Sequence, residues 1–141
     1  MTVAGALLAP DAMIVVDASA VVEWLLGGSR GAAVARALEH KQVLVPAHLD
    51  VEVAQVTRRL GLNAVITPSR GRAMVDLLAE APFTRIPLTP LLPRIWALRD
   101  NLTAYDAAYV ALAEALESPL LTFDVKIPAA SGHRARILVP E

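Results

Sequence analysis

Met13-Ile-Val-Val16 is an apolar, β-branched run of one strand's length, and it stops on an aspartate, Asp17. The form recurs at Val43-Leu-Val45, closed by Pro46, and at Leu120 to Phe123 before Asp124; Ile137 to Val139 and the more polar Phe83 to Ile86 are further strand candidates. None of these runs alternates apolar with polar residues, so each belongs to a strand buried on both faces. Helical text fills the intervals: about Ala18 to Leu26, stopped by Gly27-Gly28; Ser29 to His40; His48 to Leu60; Thr67 to Glu80; Thr89 to Asn101; and Thr103 to Leu116. Thr67-Pro68 and Thr89-Pro90 share an N-cap threonine followed by proline at the first helical position. Strands that alternate with helices in this way predict an α/β fold, a single-domain α/β/α sandwich with a short parallel sheet.

The chain of 141 residues is the length of one domain. With no cysteine it has neither a disulfide framework nor a thiolate metal site, and cytosol is the default location. Residues 1–12 lack the basic start of a signal peptide and contain Pro10 and Asp11. They read as a disordered or misannotated extension, with the domain running over 13–141 and Met13 as an alternative start. Hydrophobic residues make up 55% of the chain and mean hydropathy is +0.50, yet no apolar run reaches the roughly 18 residues that span a bilayer. Surplus apolar surface on a small domain points to a protein interface, with a partner chain, a second copy, or both. The net charge of −1 argues against a non-specific nucleic-acid binder, but not against a nuclease whose acids are balanced by cations.

Four carboxylates fall where such a fold collects them. Asp17 and Asp124 each follow a strand, and ligands of open parallel sheets bind beyond the carboxyl ends of the strands. Each also fits the N-cap of the next helix. Glu52 lies about 60° from Leu49 on the helical wheel, flanking a stripe of Leu49, Val53, Val56 and Leu60. A carboxylate there is costly unless it is paired or metal-bound; reaching solvent is the plainer alternative. Asp50 points to the other side and reads as solvated. Asp106 closes Thr103-Ala-Tyr-Asp106, which has the spacing of a capping box, and a first-turn residue also faces the strand-end crevice. Four gathered anions repel unless a cation neutralises them, and oxygen-only donors select Mg²⁺ or Mn²⁺ over Zn²⁺. Such a site hydrolyses phosphodiesters without a histidine base. His40, His48 and His133 read as surface residues, and Arg58-Arg59, Arg70/Arg72 and Arg134/Arg136 as scattered charge or phosphate contacts.

Met-Ile-Val-Val-Asp17-Ala-Ser-Ala, Glu52 after Val-Pro-Ala-His, Leu-Thr-Ala-Tyr-Asp106-Ala-Ala-Tyr-Val-Ala-Leu-Ala-Glu114 and Leu-Leu-Thr-Phe-Asp124, in that order, resemble the PIN-domain family, and within it the VapC toxins of type II toxin–antitoxin systems. The resemblance spans about Met13 to Pro140. It implies a Mg²⁺- or Mn²⁺-dependent endoribonuclease with Asp17, Glu52, Asp106 and Asp124 as the acidic quartet. Ser19 and Thr122 would orient carboxylates or waters. It also implies a homodimer, an RNA substrate and a VapB antitoxin laid across the toxin. One departure is local: Val125-Lys126-Ile127-Pro128 places proline where the family continues as a helix, disfavouring helical geometry at Ile127. Glu114 reads as solvated or partner-facing.

Two other enzyme classes fail on single residues. A haloacid-dehalogenase-like phosphatase needs an acid where Ser19 stands, and a receiver domain needs a phosphoacceptor where Pro46 follows Val45. The non-enzyme alternative is a catalytically inactive PIN-like module that binds RNA or a partner.

Overall fold

The computed structural model describes residues 12–141, so the expectation for the N-terminal extension lies, apart from Ala12, outside the described residues. Five strands form one sheet: β1 (Met13–Val16), β2 (Gln42–Pro46), β3 (Thr84–Ile86), β4 (Leu120–Leu121) and β5 (Ile137–Leu138). Their order is β3-β2-β1-β4-β5 and every pairing is parallel. Seven helices are described with them: α1 (Ala18–Leu26), α2 (Gly28–Leu38), α3 (Leu49–Leu62), α4 (Pro68–Glu80), α5 (Leu92–Ala97), α6 (Ala104–Leu116) and α7 (Lys126–Ala129). This is the α/β/α sandwich that the apolar runs predict.

Burial follows the sequence pattern in the three central strands, whereas the edge strands β3 and β5 are only partly buried, contrary to the expectation of burial on both faces. All four residues of β1 are buried, as are Val43, Leu44 and Val45 of β2 and both residues of β4. The alanine-rich α6 lies in the core from Ala107 to Glu114. Small side chains let that helix pack close to β1 and β2, which an aromatic-poor chain needs for a dense aliphatic interior. Gly31 allows another close approach: a Cβ there would stand 2.5 Å from the Glu23 carbonyl oxygen, where α2 turns back on α1. No helix among the described residues is long and apolar enough to cross a membrane.

Several local readings need correction. Thr67 caps α4 as predicted, its hydroxyl accepting the Arg70 N–H at 3.1 Å. Thr89 caps nothing: Thr89–Leu91 is a 3₁₀ turn, and α5 follows as a short helix that ends at Ala97. A second proline, Pro93, gives that helix one fewer amide to donate. Ser29 does not cap α2, which is entered through Gly27 and Gly28 at φ 81° and 69°. On α3 the fully buried face is Leu49, Val53 and Thr57, with Val56 and Leu60 half-buried. The buried stripe is thus rotated from the expected one, and the Thr57 hydroxyl is satisfied by the Val53 carbonyl at 2.8 Å. The chain after Asp124 does form a helical turn, α7, despite Pro128. Proline at the third position of a first turn gives up an amide that has no intrahelical acceptor there, so the expected disruption does not occur.

Candidate metal-dependent active site

The strand order reverses direction at β1, whose neighbours are β2 on one side and β4 on the other. That switch point opens a crevice at the carboxyl edge of the sheet. Asp17 leaves β1 there and Asp124 lies just past β4; Glu52 comes from the first turn of α3 and Asp106 from the first turn of α6.

Asp17 is 4% exposed, and its carboxylate accepts three hydrogen bonds. Its Oδ1 accepts the Ser19 hydroxyl at 2.6 Å and the Ala20 N–H at 3.1 Å, so it also caps α1. Its Oδ2 accepts the Thr122 hydroxyl. The register explains the last contact: Val16 pairs with Leu121, so the next residues on each strand, Asp17 and Thr122, meet side by side. Thr122 Oγ1 in turn accepts the Asp124 N–H at 2.8 Å, and Ser19 Oγ accepts the Phe123 N–H at 3.0 Å. Two hydroxyls therefore tie the Asp17 carboxylate to the backbone that carries Asp124. Burial raises the Asp17 pKa, the three hydrogen bonds oppose that, and the Asp124 charge raises it further.

Asp106 fills both roles open to it. Thr103 Oγ1 accepts the Asp106 N–H at 3.1 Å, which caps α6, while the half-buried Asp106 carboxyl is raised by burial and then by the charges of Asp124 and Glu52. Glu52 is held differently. Its Oε1 accepts the Tyr109 hydroxyl at 2.7 Å and lies 2.7 Å from His48 Nε2. Burial pushes the Glu52 carboxyl up, but the hydrogen bonds from His48 and Tyr109 and the His48 charge outweigh it and leave it below the ordinary value.

His48 is the main correction to the surface reading of the histidines. Its side chain is 15% exposed, its ring lies 4.8 Å from that of Tyr109, and its buried Nδ1 has no hydrogen-bond partner among the described residues. Its Nε2 is also 3.1 Å from the Tyr105 carbonyl oxygen, so Nε2 is the donor toward two acceptors. Tyr109 is 1% exposed and its hydroxyl is raised by burial and by Glu52. The sequence did hold a signal for both: His48 stands four residues before Glu52, and Tyr109 three after Asp106. His133 is half-buried and bonds the Ile127 carbonyl at 2.9 Å, pinning the loop after α7, whereas His40 is exposed.

Other charged residues lie apart from the cluster. Glu114 is neither solvated nor free: Arg94 grips it with two bonds of 2.7 and 3.0 Å, and the Arg134 N–H adds a third at 2.8 Å. Asp50 pairs with Arg85, Arg72 pairs with Asp76, and Arg70 bonds the last carbonyls of α1.

The donor set suits a hard divalent cation. It is oxygen-only, and Asp17 and Asp106 each carry a pKa raised in part by a neighbouring carboxylate, the repulsion that a cation relieves. Among the described residues no group of three or more acidic or histidine side chains stands close enough to hold a metal ion. What the acids share is their electrostatic contact: Asp124 acts on both Asp17 and Asp106, and Glu52 acts on Asp106.

Comparison with known proteins agrees with this architecture. The chain is 44% identical over 125 residues to Ribonuclease VapC12 of Mycobacterium tuberculosis, covering 89% of this chain and 97% of that protein. It is also 44% identical over 120 residues to Ribonuclease VapC1 of the same species, covering 84% and 90%. The fold superposes on VapBC2 from Rickettsia felis, solved bound to a promoter DNA fragment, with a TM-score of 0.67 at 9% identity over 92% of this chain and 99% of that one. The PIN domain family model matches residues 14–132, and the chain belongs to the PIN-domain family.

Proposed function

We propose that this chain is the ribonuclease toxin of a VapBC-type toxin–antitoxin pair, and that its hydrolysis of RNA depends on Mg²⁺ or Mn²⁺. The observation that carries the reading is the convergence of four acids from four separate elements at the switch point of the sheet, in a chain 44% identical to VapC ribonucleases. Asp17, Glu52, Asp106 and Asp124 hold the cation. When bound, it supplies activation of water and neutralisation of the charge that develops on the phosphate. Ser19 and Thr122 fix the Asp17 carboxylate, and Tyr109 and His48 fix Glu52.

The proposal includes a VapB-type antitoxin, a homodimer and a cytosolic site of action. Exposed Leu62 and Val75 line an apolar groove between α3 and α4, surface of the kind a partner covers. The test is cleavage of total RNA by the purified, antitoxin-free chain with Mg²⁺, Mn²⁺ or a chelator. Cleavage that needs the metal and vanishes in Asp17→Asn is the expected result. Equal toxicity of Asp17→Asn and the native chain would overturn the nuclease reading.

A further inference from the structure

We propose that the recess along α3, between Glu52 and Arg59, is a nucleobase-binding subsite for single-stranded RNA; this rests on the ribonuclease reading above. The recess encloses about 340 Å³. Val51, Gln55, Val56, Arg59 and Tyr105 line it, and it shares His48 and Glu52 with the acidic crevice. A strand whose phosphate lies at the acids therefore has its neighbouring nucleotide at the mouth of this recess.

Its walls carry the three chemistries that a nucleotide needs. Tyr105, immediately before Asp106, is 65% exposed, and its ring is backed by the His48 ring at 6.3 Å. An exposed aromatic ring held from behind is a stacking platform for any base. Gln55 and Arg59 follow Glu52 by three and seven residues, so they lie along the same face of α3. Among the described residues neither side chain has a hydrogen bond or ion pair, whereas Arg70, Arg72, Arg85 and Arg94 are all committed. The Gln55 amide both donates and accepts, as reading a base edge requires. Arg59 stands about 10 Å along the helix axis from Glu52, placed for a further phosphate of the same strand. An apolar protein segment would instead bury Gln55 and Arg59 without partners, which is unfavourable.

The experiment is cleavage of a fluorogenic single-stranded RNA oligonucleotide library by the full chain with Mn²⁺, read as kcat, KM and base preference on each side of the cut. Tyr105→Ala is expected to raise KM about tenfold with kcat nearly unchanged, and to blunt the preference at one position. Tyr105→Phe, which keeps the ring, restores both. Gln55→Leu changes which base is preferred, and Arg59→Gln weakens all sequences alike while lowering the salt slope by about one. Native-like KM and preference in Tyr105→Ala and Gln55→Leu would overturn the subsite and leave the ribonuclease reading intact. A shift of Tyr105→Ala from dimer to monomer in sedimentation, with its KM defect confined to the monomer, would assign the surface to a second copy and also overturn it. If the native chain cleaves neither the library nor total RNA, the ribonuclease reading itself fails.

Discussion

Thr122 donates its hydroxyl to Asp17 from the neighbouring strand, one residue beyond the last paired positions of β1 and β4. The same oxygen accepts the Asp124 N–H, so one buried threonine sets the spacing between two of the four acids. Thr122→Val keeps the shape and removes both bonds. Mn²⁺ affinity by calorimetry and RNA cleavage should each fall roughly 10–100-fold, the usual cost of losing a group that orients a metal-binding carboxylate.

His48 holds Glu52 together with Tyr109, both on Oε1. His48→Ala leaves one donor and a space beside Tyr109, and cleavage should drop about tenfold or more. Gln at this position places an amide nitrogen near the site of Nε2 and should recover most of the loss. Mn²⁺ titration of the two variants should rank them in the same order; equal defects would mean that the ring acts only by packing.

Asp106 gives a pH signature with a definite sign. Its folded pKa is raised above 3.8, so the native chain keeps its proton to higher pH than the unfolded one, and its contribution to stability falls as pH rises through that interval. Asp106→Asn retains the backbone cap on Thr103 and removes this dependence. In chelator, the melting temperature of the variant relative to the native chain should increase as pH rises from 3.8 toward neutrality. Added Mn²⁺ should stabilise the native chain and narrow the difference.

Glu114 shows the opposite sign. Burial raises its pKa, but Arg94 and the Arg134 N–H more than offset this and hold it below 4.5. The Glu114 contribution is therefore present above pH 4.5 and lost as pH falls through the lower folded pKa. Arg94→Ala leaves a carboxylate with a 2% exposed side chain held by the Arg134 N–H alone and should cost about 2–3 kcal/mol in urea unfolding at pH 7. The penalty should shrink as pH falls, because burial without the guanidinium favours the protonated form of Glu114.

The parallel sheet was legible because full burial on both faces removes polar residues from β1, β2 and β4, and that leaves a mark in the chain. Asp17 and Asp124 were legible because strand ends are marked by the same runs. Their hydroxyl supports, Ser19 and Thr122, came from the family resemblance, and the bonds they make depend on strand register. His48 was misread as a surface residue although its spacing to Glu52 is helical, since nothing local indicates that Tyr109 covers the ring. The partnership of Glu114 with Arg94 spans 20 residues and depends on how α5 meets α6. At Pro128 the pre-proline restriction disfavours helical backbone at Ile127 without forbidding it, and a single turn forms all the same.

The order of the strands also bears on how the chain is made. Asp17 emerges early from synthesis, but Thr122, its partner in the crevice, follows 105 residues later, and the β5 edge that flanks β4 comes later still. Pairings of such separation close slowly, after the local helices have formed. A nascent chain that has yet to release β4 holds Asp17, Glu52 and Asp106 without Asp124. The fourth acid therefore joins the other three only when that distant pairing has closed, so the proposed site is assembled by the slowest contact in the sheet.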